Sequence, residues 1–386
     1  MPKKARNKMN ELQLELKNQL EKFRLAKIEP YMEHDDEIEN FRMEIFNELG
    51  ALGFCGMTLP EKFGGMNLSY VDFTIALSEI AKSSASYAVT ISVSAMVQAI
   101  INEFGNSKQK EKYLPTLVSG SEIGAFCLSE SGSGSDAASL VTTAKKVDGG
   151  YILNGSKMWI TSGGIAKTYI VMARTGGPGA KGVSAFIVRD GAPGFNYGKK
   201  EKKMGWKISP TRELIFQNCF VADEDLLLSE GEGFKIAMAA LDKGRFTIGA
   251  VAVGLSERAL EDAVKYSLTR NQFNQPIFEF QGLQFMMADM ALEIEASRLL
   301  VTKAAENYDL KIPDAKLACM AKLKATDTAM KVTTDAVQIL GGVGYTREYP
   351  LERFMRDAKV LQIVEGTNQI QRVVIARHLK KEYTTH

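Results

Sequence analysis

Asp148-Gly149-Gly150-Tyr151-Ile152-Leu153-Asn154-Gly155-Ser156-Lys157-Met158-Trp159-Ile160-Thr161 lies near the middle of a 386-residue chain. Two turn signals, Asp148-Gly149-Gly150 and Asn154-Gly155, flank the apolar triplet Tyr151-Ile152-Leu153 and precede Met158 to Thr161. Asp-Gly and Asn-Gly pairs suit tight hairpin turns, because glycine accepts a positive φ. Working outward, Ala125 to Leu128, Tyr169 to Met172, Ser184 to Val188 and Glu213 to Val221 read as further strands, with a loop from Thr175 to Gly182. No helical stretch separates them, so 124–232 predicts a small antiparallel barrel or sandwich.

On either side the apolar period is helical. Leu14, Leu20 and Phe23 lie on a charged first helix, and Phe41, Ile45 and Leu49 recur at fourfold spacing with Gly50 as the stop. A loop containing Pro60, Gly64 and Gly65 follows, then helices over 70–82 and 87–104. Asn106-Ser107 opens a charged helix over 108–114, and Pro115 follows it. Beyond Gly231, Leu260, Val264 and Leu268 mark one helix, and Leu283, Met286, Met287, Met290 and Ile294 a second. Ala321, Ala325, Ala329, Val332, Ala336 and Ile339 mark a third, and such helices with short links make a bundle. The predicted layout is a mainly α protein of three domains: 1–123 helical, 124–232 β, 233–386 a helical bundle.

A net charge of +2 implies no broad polyanion-binding surface, so no nucleic-acid partner is expected. Cys55, Cys127, Cys219 and Cys319 lack zinc-ligand or redox spacing, as in an intracellular thiol protein. The three histidines, His34, His378 and His386, lie near the ends. No metal site is expected, and the chemistry falls to carboxylates or a cofactor. Met1 to Lys8 is basic, but Glu11 and Glu15 follow soon, which makes a poor targeting peptide. Ser83 to Asn102 is uncharged and about as long as a membrane span, yet polar residues interrupt it throughout. A buried core helix is expected there. The expected location is the cytoplasm, or the mitochondrial matrix in a eukaryote.

The stretch Leu361-Gln362-Ile363-Val364-Glu365-Gly366-Thr367-Asn368-Gln369-Ile370-Gln371-Arg372 sets one carboxylate after apolar residues and before a glycine. Desolvation raises such a carboxylate's pKa, which suits it to take a proton from carbon near neutral pH. Taken alone, the stretch also reads as an ordinary surface turn. Gly132-Ser133-Gly134-Ser135-Asp136-Ala137 fits a loose dinucleotide pattern. The expected hairpins after it exclude a βαβ unit, leaving a loop that offers N–H and hydroxyl donors, or a solvated loop. Trp159 reads as a core tryptophan beside the Thr161 hydroxyl. Gln338 to Tyr345 reads as a glycine-stopped helix end or a face against a nucleotide. Arg270-Asn271-Gln272-Phe273 could bind phosphate, and Asp242 and Arg245 are spaced as a helical i, i+3 pair.

In order and spacing, these segments resemble the acyl-CoA dehydrogenase family from about Phe41 to Arg377. The resemblance rests on Leu59-Pro60-Glu61 with Gly64-Gly65, Leu128-Ser129-Glu130 with Gly132 and Gly134-Ser135-Asp136, and Lys157 to Thr161. It rests further on Gln338 to Gly342, Arg356-Asp357-Ala358 and Glu365-Gly366-Thr367. It implies a helical N-terminal domain, a middle antiparallel β-barrel and a C-terminal four-helix bundle, assembled as a homotetramer with one FAD per subunit. By similarity, Phe126, Leu128, Ser129, Gly134, Ser135, Trp159, Ile160, Thr161, Thr367, Asn368 and Gln369 hold FAD. Arg270, Gln272, Phe273, Gln281, Gln338, Ile339, Leu340, Gly341 and Gly342 match flavin-contact positions, several of which reach a neighbouring subunit's FAD. Ser135, Asp242, Lys243, Gly244, Arg245, Val364 and Gly366 match acyl-CoA contacts.

The implied reaction is removal of the thioester's α-proton by Glu365 as hydride leaves the β-carbon for flavin N5, giving a trans-2-enoyl-CoA. Electron-transfer flavoprotein is the implied acceptor. Isovaleryl- and long-chain-type members carry the base on an earlier helix, where this chain has Gly244. Leu241 to Arg245 is most similar to short-chain (butyryl-CoA) members. Ala88 stands where glutaryl-type members have an arginine. Two residues depart from the family pattern: Ser131 replaces a proline, and Val364 replaces an aromatic residue, usually tyrosine. A valine there opens the pocket to branched or cyclic acyl groups. The rival readings are a flavin oxidase on the same scaffold and a non-catalytic acyl-CoA-binding protein.

Overall fold

A computed structural model describes residues 9–384; Met1 to Lys8, Thr385 and His386 lie outside them. The N-terminal helices are α1 (Glu11–Phe23), α2 (Met32–Ile38), α3 (Met43–Ala51), α4 (Tyr70–Ala81), α5 (Ala85–Phe104) and α6 (Ser107–Val118). The sheet domain has β1 (Gly124–Cys127), β2 (Thr143–Val147), β3 (Gly150–Thr161), β4 (Thr168–Arg174), β5 (Val183–Arg189), β6 (Phe195–Lys200), β7 (Thr211–Ala222) and β8 (Leu226–Leu227). The C-terminal helices are α7 (Gly233–Thr269), α8 (Gln281–Asp309), α9 (Ala315–Leu340), α10 (Leu351–Leu361) and α11 (Asn368–Thr384); the short hairpin β9 (Asn271–Gln272) and β10 (Gln275–Pro276) joins α7 to α8.

The uncharged run is α5, and 94% of its most apolar window is buried inside the fold. Ser84 Oγ caps it by accepting the Tyr87 N–H. Length and hydropathy alone would let α5 cross a membrane. Here α4, α7 and the first strand cover it. At 37 residues, α7 spans about 55 Å. It packs on α4 and α5 on one side and α8 and α9 on the other, so one helix ties two domains together.

Four expectations change in detail. The eight strands run in the order β6-β7-β3-β2-β4-β5-β8, with β1 also on β4. Pairing is mainly antiparallel, but β1 and β2 both run parallel to β4. Asn154-Gly155 is a bulge inside the long strand β3, where the register against β7 shifts between Leu153 and Gly155. Gly155 has φ +139° there, and a Cβ would come within 2.7 Å of the Thr142 hydroxyl oxygen. Gly50 lies inside α3, because the Ser119 carbonyl oxygen would be 2.1 Å from a Cβ. Pro115 likewise sits inside α6. The carbonyl it leaves free belongs to the exposed Glu111, while Leu114, Leu117 and Val118 stay buried and hold the helix.

The three domains meet at Arg356 and Asp357 on α10. Arg356 donates to Asp36 Oδ2 at 2.8 Å and to the Met204 carbonyl at 3.0 Å. The Trp206 N–H donates to the buried Asp357 carboxylate at 2.6 Å. Trp206 is left-handed, at φ +49°, so this bond holds a strained residue. Asp357→Ala would leave a buried N–H without its partner, at a cost of about 1–3 kcal/mol. The expected outcome is a lower Tm in calorimetry; an unchanged Tm would show that the loop is held from elsewhere.

Candidate active site

The turn between α10 and α11 carries Glu365 at φ +56° and Gly366 at φ +85°. Two successive left-handed residues reverse the chain. Only one is glycine, so Glu365 is strained, at a cost of order 1–3 kcal/mol. Hydrogen bonds hold it there. Gln371 Nε2 donates to the Glu365 and Gly366 carbonyls at 3.0 and 2.8 Å. The Lys322 ammonium on α9 donates to the Gly366 carbonyl at 3.0 Å and to Asn368 Oδ1 at 2.7 Å. Asn368 Nδ2 donates to Thr326 Oγ1 and Asp327 Oδ1.

The Glu365 side chain is turned inward. Its Oε2 is buried and has no hydrogen-bond partner. It lies over α7 at Gly244, where an added Cβ would be 2.3 Å from Oε2 and 2.8 Å from the Met96 methyl. Burial pushes the Glu365 carboxyl up to about 7, with Arg245 and Lys322 pulling it back. Arg245 donates to Asp242 through Nη1, and its buried Nε has no partner. Burial raises the Asp242 pKa against the pull of Arg245.

Beside Gly244 lies a small pocket between α4, α5 and α7, lined by Tyr70, Phe73, Ser92, Ala95, Met96, Ala99, Lys243 and Thr247. Its cavity volume is about 10 Å³, room for about one water. Two of its hydroxyls are already occupied as donors: Ser92 Oγ donates to Thr247 Oγ1 at 2.8 Å, and Thr247 to the Gly244 carbonyl at 3.1 Å. Lys243 is buried and paired with Glu103, so its charge is neutralised at the pocket's wall. Val364 packs against the main core and does not line this pocket.

The segments expected to hold the flavin form a second region. The Met158 N–H donates to the Ser129 carbonyl at 2.9 Å. Lys157, fully buried, donates to Glu130 Oε1 at 2.7 Å and to the Leu128 carbonyl at 3.1 Å. Glu130 also accepts the Val141 and Thr142 N–H groups. The loop through Phe126, Leu128 and Ser129 is thereby stapled beside Trp159 and Thr161. Trp159 is 59% exposed and left-handed at φ +63°, an outward tryptophan and not the core one expected. Gly132 and Gly134 face open space, Ser135 is exposed, and the nearby Ser162 hydroxyl is buried without a partner. An open, donor-rich ledge beside an exposed aromatic ring fits a large planar cofactor. Ile160 points into the core, and Thr367 and Gln369 lie on the turn side of α11.

Arg270, Gln272, Phe273 and Gln281 lie exposed at the α7–α8 hairpin. Gln338, Gly341 and Gly342 are exposed at the end of α9, whereas Ile339 and Leu340 are buried. The Asn368 side chain is buried against Lys322, Thr326 and Asp327 and braces the turn. Sequence reasoning gave no role to Lys322, Gln371, Met96 or the Glu130–Lys157 pair. Lys322 did carry a signal: it is a charge among Ala318, Ala321, Ala325 and Ala329 on a buried face.

The sequence matches the acyl-CoA dehydrogenase N-terminal domain over 10–121, the middle domain over 125–219 and the C-terminal domain over 231–380. The chain belongs to the acyl-CoA dehydrogenase family. It is similar to butyryl-CoA dehydrogenase from Megasphaera elsdenii, with TM-score 0.95 and 44% identity over 96% of this chain and 99% of that one. It is equally similar in fold to a chain solved in work on the electron transferring flavoprotein of Acidaminococcus fermentans, with TM-score 0.95 and 46% identity over 97% and 99%. The mitochondrial isobutyryl-CoA dehydrogenase of Dictyostelium discoideum is 44% identical over 93% of this chain and 87% of its own.

The Glu365 carboxyl is held at about 7, above its ordinary 4.5. Between those values this acyl-CoA dehydrogenase binds a proton that the unfolded chain has lost. Stability from this group is therefore present below about 4.5 and lost as pH rises through about 7. Glu365→Gln removes the buried charge. The variant is expected to melt a few degrees above wild type near pH 8 and level with it near pH 4, at ~2–4 °C per kcal/mol. Equal differences at both pH values would show that the carboxylate is not desolvated.

Proposed function

We propose that the protein converts a short-chain acyl-CoA to the trans-2-enoyl-CoA, with Glu365 as the base that removes the α-proton. The observation that carries this is the buried, unpartnered Oε2 of Glu365 over Gly244, beside a small pocket walled by α4, α5 and α7. Raised to about 7, the carboxyl is basic enough to take a proton and still substantially ionised near neutral pH. Its free lone pair meets the α-carbon without first breaking a hydrogen bond. The pocket walls orient the chain and keep water from the base. The same apolar surroundings strengthen the field at the thioester as charge develops there.

FAD is the cofactor, and it supplies the two-electron acceptor for the hydride leaving the β-carbon. The loop from Phe126 to Ser135 and the Trp159 to Thr161 segment are the residues that would hold it. Arg270, Gln272, Phe273, Gln281 and the end of α9 are assigned to FAD contacts, several of them across a subunit interface. That assignment needs a second copy. An apolar stripe on α8 supports one: Phe285, Leu292 and Leu299 recur every seven residues and are 62%, 66% and 46% exposed. The proposed assembly is a homotetramer, the proposed electron acceptor an electron-transfer flavoprotein, and the proposed location the cytoplasm.

Glu365→Gln tests the base. The variant should keep its flavin and bind acyl-CoA, yet bleach the flavin about 10²–10⁴-fold more slowly on anaerobic mixing with butyryl-CoA. Bleaching at the wild-type rate would place the base elsewhere. Val364 is assigned to substrate range, since it adjoins the base and replaces a larger ring. Val364→Tyr should lower kcat/KM for a branched thioester by about 10–200-fold while changing butyryl-CoA much less. A constant ratio of the two kcat/KM values would show that Val364, which packs against the core beside the base, does not set the substrate range.

A further inference from the structure

We infer that Lys322 is the positioning residue of the catalytic turn, a buried cation that steadies Glu365 as a carboxylate while leaving both of its oxygens free for the substrate's proton. This rests on Glu365 being the base. Lys322 is 0% exposed on α9. Its two hydrogen-bond partners, the Gly366 carbonyl and Asn368 Oδ1, are neutral oxygens, so no bond to a carboxylate cancels its charge. Its anchors lie one and three residues beyond Glu365 in the chain. A buried ammonium costs several kcal/mol unless something offsets it. Burial pushes the Lys322 ammonium down to about 8, and Glu365 and then Asp327 offset part of that cost, so Lys322 is a cation at pH 7.

The arrangement matters for proton abstraction. A direct ion pair would lower the basicity of Glu365 and also occupy the lone pair that must receive the α-proton. A cation held one bond away, on the backbone of the turn, acts through space and leaves that lone pair open. The bond to the Gly366 carbonyl also fixes the second left-handed residue, and with it the direction in which Glu365 points. Other charged and titratable groups face the turn. Arg245 and Asp242 come from α7, Cys319 and Asp327 from α9, and Arg372 reaches Asp327 from α11. From α5 the Met96 methyl reaches the contact between Gly244 and the carboxylate. Arg245 spends one nitrogen on Asp242, so Lys322 is the cation without a carboxylate of its own.

The test uses the FAD-loaded enzyme with Lys322→Gln, which keeps an N–H donor without charge, and Lys322→Met, which keeps neither. The readouts are flavin content and the rate at which the α-hydrogen of a bound acyl-CoA exchanges with deuterium from solvent, followed against pH. An opposite charge close by lowers a carboxyl pKa by about 1–3 units, so its loss should move the acid limb of exchange upward by about one unit or more. For Lys322→Gln the rate near pH 7 should fall about fivefold and largely recover by pH 9, since a one-unit shift changes the ionised fraction by that much. Lys322→Met should show the same shift with an added loss at every pH. An acid limb that stays at the wild-type position in both variants would overturn the inference. So would variants that lose FAD, because the role assigned is local to the turn. Glu365→Gln, measured alongside, separates the two failures. Fast exchange in that variant removes Glu365 as the base and Lys322's role with it. Slow exchange there, with unmoved limbs in the Lys322 variants, removes Lys322 alone.

Discussion

One carboxylate is kept out of water without being given a partner. Folding ordinarily avoids this, because an unpaired buried charge is among the costliest things a protein can hold. Glu365 tolerates it in part by sharing its proton near neutral pH, and in part because Arg245 and Lys322 stand near without bonding to it. Its backbone is strained as well, at φ +56°. Cost of both kinds gathers at one residue, as expected where basicity has been favoured over stability.

That residue can be held only because several elements converge on it. Helix α7 passes beneath with no side chain at Gly244, α5 brings Met96, α9 brings Lys322, and α11 returns Gln371 to the turn's carbonyls. The anchoring runs back along α10 to Arg356 and Asp357, where the sheet domain and the N-terminal domain are fastened. Glu365 is eight residues beyond Asp357 in the chain. The three-domain junction thus sits midway along α10, and the Glu365 turn follows the end of that same short helix, so a disturbance at the first reaches the second through rigid structure.

What could be read in the sequence follows from what leaves a periodic or chemical trace. The long helices announced themselves through apolar spacing, and α5 through its lack of charge. The strands β2 and β6 did not, because Lys145, Lys146, Lys199 and Lys200 break their alternation at the solvent face. Asn154-Gly155 has turn chemistry but sits in a bulge, since the same positive φ serves both; only the pairing with β7 decides between them. The desolvation of the Glu365 carboxyl was legible from its apolar neighbours. Lys322 was visible as a charge on an alanine face, but its meaning depends on a carbonyl more than forty residues away in the chain. Read from its residue type alone, Trp159 suggests a core position, and its outward aim depends on a left-handed backbone that the residue type does not announce.

Gly244 shows why the location of a base in the chain matters less than its location in space. A Cβ built at position 244 would stand 2.3 Å from the Glu365 carboxylate oxygen. A side chain from α7 and one from the α10–α11 turn therefore aim at the same small volume. Isovaleryl- and long-chain-type members, by resemblance, carry their base at the position of Gly244. With the base assigned to Glu365, both arrangements could serve one reaction, because a side chain from either element reaches the same volume beside Met96 of α5. The same geometry explains why they exclude each other. Two carboxylates in that volume would repel, and even one methyl group there would push Glu365 aside. A glycine at 244 is thus the other half of having a glutamate turned inward at 365, and the two residues have to be read as one feature.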